Sequence, residues 1–156
     1  MDFIGAYSPD NLIFLLEGFW VTIKIAAISI FLSFIIGGLI GTLRYAKVPV
    51  ASQVLAVFVE LIRNLPLLLI IFFVYFALPE IGIKFSIEWS AIFALTVFES
   101  AMVSEIIRSG LNSVHKGQIE AGRSSGLSYI QTLWHIVLPQ GLRRMVPPIV
   151  SSSFRC

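Results

Sequence analysis

Apolar residues in this chain run in blocks too long for the core of a soluble domain, and the polar residues collect between the blocks. Residues 19–43, FWVTIKIAAISIFLSFIIGGLIGTL, are apolar almost throughout. A helix rising about 1.5 Å per residue over that stretch crosses a hydrocarbon core of about 30 Å with some tilt. Lys24, one turn inside its start, is expected to snorkel back toward the headgroups. Gly37, Gly38 and Gly41 recur at helical spacing, which points to close packing against another helix. A second block, about 49–79, is interrupted. Its segment LIRNLPLLL places Arg63 and Asn64 just ahead of Pro66, whose missing N–H should kink or restart the helix. Broken, polar backbone at membrane depth is tolerated only against protein or a water-lined cavity. Arg63, Asn64 and Pro66 are therefore read either as lining a translocation path or as a structural elbow. The third block, about 88–108, carries Glu99 near its centre and Glu105 near its end. A carboxylate at that depth is costly and should face the bundle interior with a partner. For Glu99 two readings stand: an ion pair with an arginine such as Arg63, or a polar contact in a substrate route. Glu105 joins the path candidates.

After the third block the pattern changes. Residues 113–126, SVHKGQIEAGRSSG, carry Gly117, Gly122 and Gly126, which predict short helical pieces separated by turns. The following SGLSYIQTLWHIVLP has apolar residues at Leu127, Ile130, Leu133, Trp134 and Val137, the spacing of an amphipathic helix that stops at Pro139. Such a pair either lies along the membrane interface or offers a knob to the groove of a soluble partner. Periodicity alone favours the interface.

Composition sharpens the class. Hydrophobic residues make up 57% and charged residues 13% of the 156 positions, against about 25% charged in soluble domains. The chain reads as an all-α integral membrane protein, a polytopic helical bundle forming one domain over 1–156. The net charge of +2 is small and its basic residues are dispersed, unlike the concentrated face of a nucleic-acid binder. Cys156 is the one cysteine, so there is no disulfide framework, and His115 and His135 lack metal-site spacing. Residues 1–18 hold Asp2, Asp10 and Glu17 with no Lys or Arg, which argues against a cleaved leader. Arg44 and Lys47 follow the first block, and Arg108, His115, Lys116 and Arg123 follow the third; the loop EIGIKFSIE holds Lys84 alone. The positive-inside rule then puts the N-terminus outside and the polar segment, about 109–139, in the cytoplasm. No GxxxxGK[ST] occurs, so the chain has no P-loop of its own. No nucleophile–base or metal constellation suggests an enzyme.

The residues of the polar segment carry more than their periodicity. EAGRSSGLSYIQTLWHIVLP resembles the cytoplasmic signature of the permease subunits of ABC importers: Glu-Ala-Ala, three residues, Gly, nine residues, then Ile-x-Leu-Pro. The matching positions are Glu120, Ala121, Gly126, Ile136, Leu138 and Pro139, with Gly122 where the second Ala is usual, a change expected to loosen that helix. GFWVTIKIAAIS, LIRNLPLLLIIFFVYFALP and SEIIRSGLNSVHKGQIEAG are similar to blocks of the polar amino-acid uptake branch, although Leu65 and Met102 stand where Thr and Tyr are usual. The resemblance implies a coupling helix that docks in a cleft of a separate ATPase subunit, which binds the ATP and Mg. This chain itself would carry no cofactor. It further implies a second permease subunit, an extracytoplasmic amino-acid-binding protein and a bacterial inner-membrane location. On this reading Gly126→Asp keeps membrane insertion but abolishes transport-linked ATP hydrolysis. Relatives have two further core spans after the coupling region, whereas residues 140–156 supply only a partial one, so the last core span is expected to be missing. The competing readings are a truncated remnant that assembles with or regulates the ATPase without transporting, and an ion-driven transporter.

Overall fold

The computed structural model describes residues 9–151, and these contain helices and turns without strands. Helix α1, Pro9–Tyr45, starts well before the apolar block that predicts it. Glu17 and Gly18 interrupt the hydropathy there but not the helix, and a proline at the first turn loses no intrahelical bond. Phe14, Phe19, Trp20, Phe31, Phe34 and Leu39 point outward along α1, which suits a helix bathed in hydrocarbon. The hydroxyls of Thr22 and Thr42 donate to the carbonyls of Gly18 and Gly38, at 2.9 and 2.8 Å. Satisfying polar groups within the helix itself is what a lipid environment demands.

After a tight turn in which Lys47 and Val50 both adopt positive φ, α2 spans Ala51–Asn64 and α3 spans Leu67–Phe72. Helix α2 and the segment Leu67–Ile81, which α3 opens, meet at an angle of 105°. Leu65 is extended, as the residue before a proline must be, and Pro66 follows it in an extended conformation. Pro66 thus breaks the second block as predicted. Beyond α3 a wide π-type turn, Phe73–Ala77, leads into a single tight turn, Leu78–Ile81. Helix α4, Ile87–Asn112, is capped by Ser86, whose hydroxyl accepts from the Trp89 amide. Among the described residues two helices, α1 and α4, are long and apolar enough to cross a membrane, and the bent pair Ala51–Asn64 and Leu67–Ile81 counts as a third only when taken together.

Helices α1 and α4 run parallel, as their contacts advance together along both. Lys24 Nζ lies 2.8 Å from the Glu88 carboxylate, Ser29 Oγ donates to Ile92 O, and Arg44 reaches Glu105. Lys24 is therefore ion-paired rather than reaching for headgroups on its own. Between these points a Cβ on Gly37 would sit 2.7 Å from the Ser100 carbonyl oxygen, and one on Gly41 2.7 Å from that of Ser104. Gly37 and Gly41 are the contact, as their spacing predicts, whereas Gly38, the third glycine of the set, lies off it, its Cβ position 3.8 Å from Ile107 Cδ1. Ser33, Ser100 and Ser104 are buried at the same seam and donate back to their own helices. Val59, Ile62, Ile70, Val74, Ala94 and Ala101 pack the elbow of α2 and α3 onto α4.

Helix α5 is Lys116–Ser124, α6 is Tyr129–Thr132, and a second π-type turn, Leu133–Val137, joins α6 to α7, Leu138–Ser151. The helix predicted to stop at Pro139 instead runs through it. Both π-type turns end two residues ahead of a proline, Pro79 and Pro139. A turn widened at that point accommodates both the missing N–H and the ring that would otherwise press on the preceding turn. Of the partial span 140–156, α7 covers residues to Ser151, and the rest lies outside the described residues.

Candidate functional site

The polar segment folds into a compact helix–turn–helix whose ends are all locally fixed. His115 caps α5, its Nδ1 accepting from the Gly117 amide at 3.2 Å. Gly117 and Gly122 lie inside α5 rather than at turns, which corrects the reading of three glycine breaks. Only Gly126 turns the chain, at φ +84°. The Leu127 amide donates to Gly122 O and the Gly126 amide to Arg123 O, at 3.2 and 3.0 Å. Those two bonds, with a left-handed residue between the helix and the next segment, form a Schellman end. One residue later α6 opens with a capping box: Ser128 Oγ accepts from the Gln131 amide and Gln131 Oε1 accepts from the Ser128 amide. Leu127 alone separates the two devices, so the angle between α5 and α6 is set by backbone chemistry.

Underneath, Leu111 and Val114 from the end of α4 pack with Leu133 and Val137 of the π-type turn, and Ile119 of α5 lies against them. Gly122 is buried, and a Cβ there would come within 2.5 Å of Ile136 Cδ1. The Gly in place of the usual Ala therefore does not leave a slack helix; Ile136 fills the room. Gln140 Nε2 donates to Gln118 Oε1 at 3.2 Å, and a Cβ on Gly141 would sit 2.9 Å from Leu111 Cδ2. Arg144 Nη1 donates to Ser113 O. Glu120, Ala121 and Arg123 face outward and are exposed, as are Gly126 and Pro139, whereas Ile136 and Leu138 are half-buried. The segment is a short polar helix standing on the joint between α4 and α7, with its charged face free.

The path candidates divide into two groups. Arg63, Asn64 and Pro66 lie at the elbow, and Arg63 joins Glu105 rather than Glu99, which corrects one of the pairings considered for Glu99. Glu105 is the hub of three arginines. Arg44 Nη1 donates to Oε2 at 2.9 Å, Arg108 donates through Nε and Nη2 to Oε1, and Arg63 stands 3.8 Å from Oε2. Three helices are thereby joined at one carboxylate. Asn64 is occupied locally, its Nδ2 donating to Glu60 O at 2.8 Å. Glu99 is half-buried on α4 and makes no ion pair or side-chain hydrogen bond among the described residues. Arg44 and Arg108 were missing from the candidates, although the Glu105–Arg108 spacing of i, i+3 is visible in the sequence. Because the Arg44 side chain is only 11% exposed, Glu105→Gln should strand a nearly buried cation. A loss of about 1–3 kcal/mol is expected, read as a lower melting temperature of the detergent-solubilised chain. Glu99→Gln, which strands nothing, should melt with the unmodified protein.

The fold and the segment meet in the comparisons with known proteins. Residues 29–154 match the family described as "Binding-protein-dependent transport system inner membrane component", and the chain belongs to that family. It is 73% identical over 151 residues to the probable glutamine ABC transporter permease protein GlnP of Bacillus subtilis (strain 168), a match covering 97% of this chain and 69% of that protein. To the probable glutamine ABC transporter permease protein GlnM of the same organism it is 39% identical over 140 residues, covering 90% of this chain and 65% of the relative. The fold matches the crystal structure of an amino acid ABC transporter with histidines at a TM-score of 0.72 and 24% identity, over 90% of this chain and 69% of that one. The chain thus spans roughly two thirds of the length of these proteins.

Proposed function

We propose that this chain belongs to the translocation unit of an ATP-driven importer of polar amino acids, as a permease subunit that couples to a separate ATPase through residues 120–139. The observation that carries this reading is α5: a polar helix with Glu120 and Arg123 exposed, fixed at both ends and seated on the joint of α4 and α7. A docked partner that moves α5 moves that joint with it. The partner would bind the ATP and Mg, a second permease subunit would complete the path, and an extracytoplasmic binding protein would deliver the amino acid. The N-terminus faces outside on this reading. The parallel course of α1 and α4 supports it by bringing Arg44 and Arg108 to the same end, the end that the positive-inside rule assigns to the cytoplasm.

The test is uptake by vesicles holding this chain with its ATPase subunit and binding protein. Import should require ATP and the binding protein. Uptake driven by an ion gradient with neither would contradict the proposal. Within that assay Glu99→Gln reports on the path. Glu99 has no structural partner among the described residues to lose, so the variant should express and fold normally while its half-saturating substrate concentration rises about tenfold, the scale of one charged hydrogen bond. Normal uptake would remove Glu99 from the route.

A further inference from the structure

Helix α7 is held to the docking segment by polar contacts to which the coupling reading gives no role. Gln140 Nε2 donates to Gln118 Oε1 at 3.2 Å. Among the described residues this is the one hydrogen bond or ion pair that joins α7 to α5. One turn further along α7, Arg144 Nη1 donates to Ser113 O. Ser113 is the C-cap of α4 and stands two residues ahead of His115, the cap that opens α5. A guanidinium at that place also suits the negative end of the α4 dipole. Between the two contacts Gly141 is buried, and a Cβ on it would lie 3.3 Å from Leu111 Cα and 3.4 Å from Gly110 O. Residues 140, 141 and 144 fall on one side of a helix, and that side is the one applied to the joint of α4 and α5.

The backbone route from α5 to α7 is long. It runs through the left-handed turn at Gly126, then α6, then the π-type turn Leu133–Val137. The Gln118–Gln140 bond closes those 22 residues in one step. Ile119 of α5 and Leu138 of α7 also pack on a shared apolar base. Apolar contacts are non-directional and tolerate sliding, whereas a hydrogen bond weakens steeply once its angle is lost. One such bond alone would act as a pivot. With Arg144 gripping the link into α5 one turn away, α7 is held at two points, and a tilt of α5 reaches it with its direction kept.

We propose that Gln118, Gln140 and Arg144 are positioning residues that make α7 follow α5 when a partner moves the docking helix. The proposal rests on the reading of α5 as the helix that docks the ATPase. The full chain is reconstituted in vesicles with its ATPase subunit and binding protein, and uptake from a mixture of radiolabelled amino acids is measured per ATP hydrolysed. Gln140→Leu should lower that ratio about fivefold, the lower end of the usual coupling between two sites, and Gln118→Leu should do the same. The two together should be no worse than either alone, because they break one bond. Gln118→Glu combined with Gln140→Lys, which keeps the acceptor on α5 and the donor on α7, should restore the ratio. Arg144→Gln should lower it as well, and Arg144→Lys less, since a charged donor remains. Additive losses in the double leucine variant, no recovery by the charged pair, or a full ratio in Arg144→Gln overturns the proposal. So does a lower melting temperature with an unchanged ratio, which would make these contacts ones of stability alone. If the unmodified complex shows no ATP-dependent uptake, the docking reading has failed and the proposal falls with it. If that complex imports and Gln140→Leu imports at the same ratio, the clamp alone has failed.

Discussion

Valine at Gly126 is expected to abolish transport-linked ATP hydrolysis in reconstituted vesicles while leaving the chain helical and inserted. Gly126 sits at φ +84°, where a β-branched residue is a steric outlier and pays about 1–3 kcal/mol of backbone strain. No neighbouring atom lies within 4 Å of a Cβ there, so the effect comes from the backbone alone. Relieving the strain means giving up the bonds from Leu127 to Gly122 and from Gly126 to Arg123, and with them the fixed angle between α5 and α6. None of the atoms that crowd Gly37 and Gly41 at the seam of α1 and α4 belongs to this turn, and insertion should persist. Asparagine tolerates the left-handed region and should retain most coupling. Aspartate tolerates it as well, so Gly126→Asp probes an added charge on an exposed turn, while Gly126→Val probes the conformation. The readout is the ATPase rate with and without loaded binding protein. A valine variant stimulated as strongly as the unmodified complex would sink the claim that this turn sets the docking helix.

Much of this segment is legible in the sequence, and the reason is chemical. Gly126 followed by Ser128 and Gln131 spells a left-handed stop and a capped restart, because both devices are made within a few residues of one another. Gly117 and Gly122 mislead for the complementary reason. A glycine in a short polar stretch looks like a break unless the residues that crowd it are known, and for Gly122 those are Thr132 and Ile136, across the turn. Pro139 misleads through the π-type turn ahead of it. The proline marks a helix that must be altered, and the sequence does not distinguish altered from ended.

The fold divides along the same line. Block lengths and the Pro66 elbow follow from hydropathy and from proline's missing donor, both local properties. The partners of the charged side chains do not. Glu99 and Glu105 lie on one helix with similar credentials, yet Glu105 draws Arg44 and Arg63 from two other helices, and Glu99 draws none among the described residues. Which carboxylate meets the arginines depends on the rotation and offset of α4 against α1, and these are set by the glycine seam. Periodicity identifies the seam on α1 but cannot say which turn of α4 it meets.

That seam is where the second large effect is expected. Valine at Gly41 should lower the stability of the solubilised chain by about 1–3 kcal/mol or more, and valine at both Gly37 and Gly41 should prevent stable folding. A Cβ on Gly41 lies 2.7 Å from Ser104 O and 3.0 Å from Ile107 Cβ; on Gly37 it lies 2.7 Å from Ser100 O and 2.8 Å from Val103 Cβ. These are backbone and stem atoms that no rotamer change can withdraw, so the helices themselves must part. Separation at Gly41 also lifts Arg44, one turn on, away from Glu105 and leaves a nearly buried guanidinium without its acceptor. Gly38 is the internal control. Its Cβ would meet only Ile107 Cδ1 at 3.8 Å, an ordinary contact, and alanine gains up to about 1 kcal/mol of helix propensity over glycine. Thermal unfolding followed by circular dichroism should therefore show Gly38→Ala at or above the unmodified melting temperature and Gly41→Val well below it. Equal melting of the two would place the α1–α4 contact elsewhere. A loss confined to Gly37 and Gly41 marks close backbone approach, because a general intolerance of side chains on α1 would strike all three glycines alike.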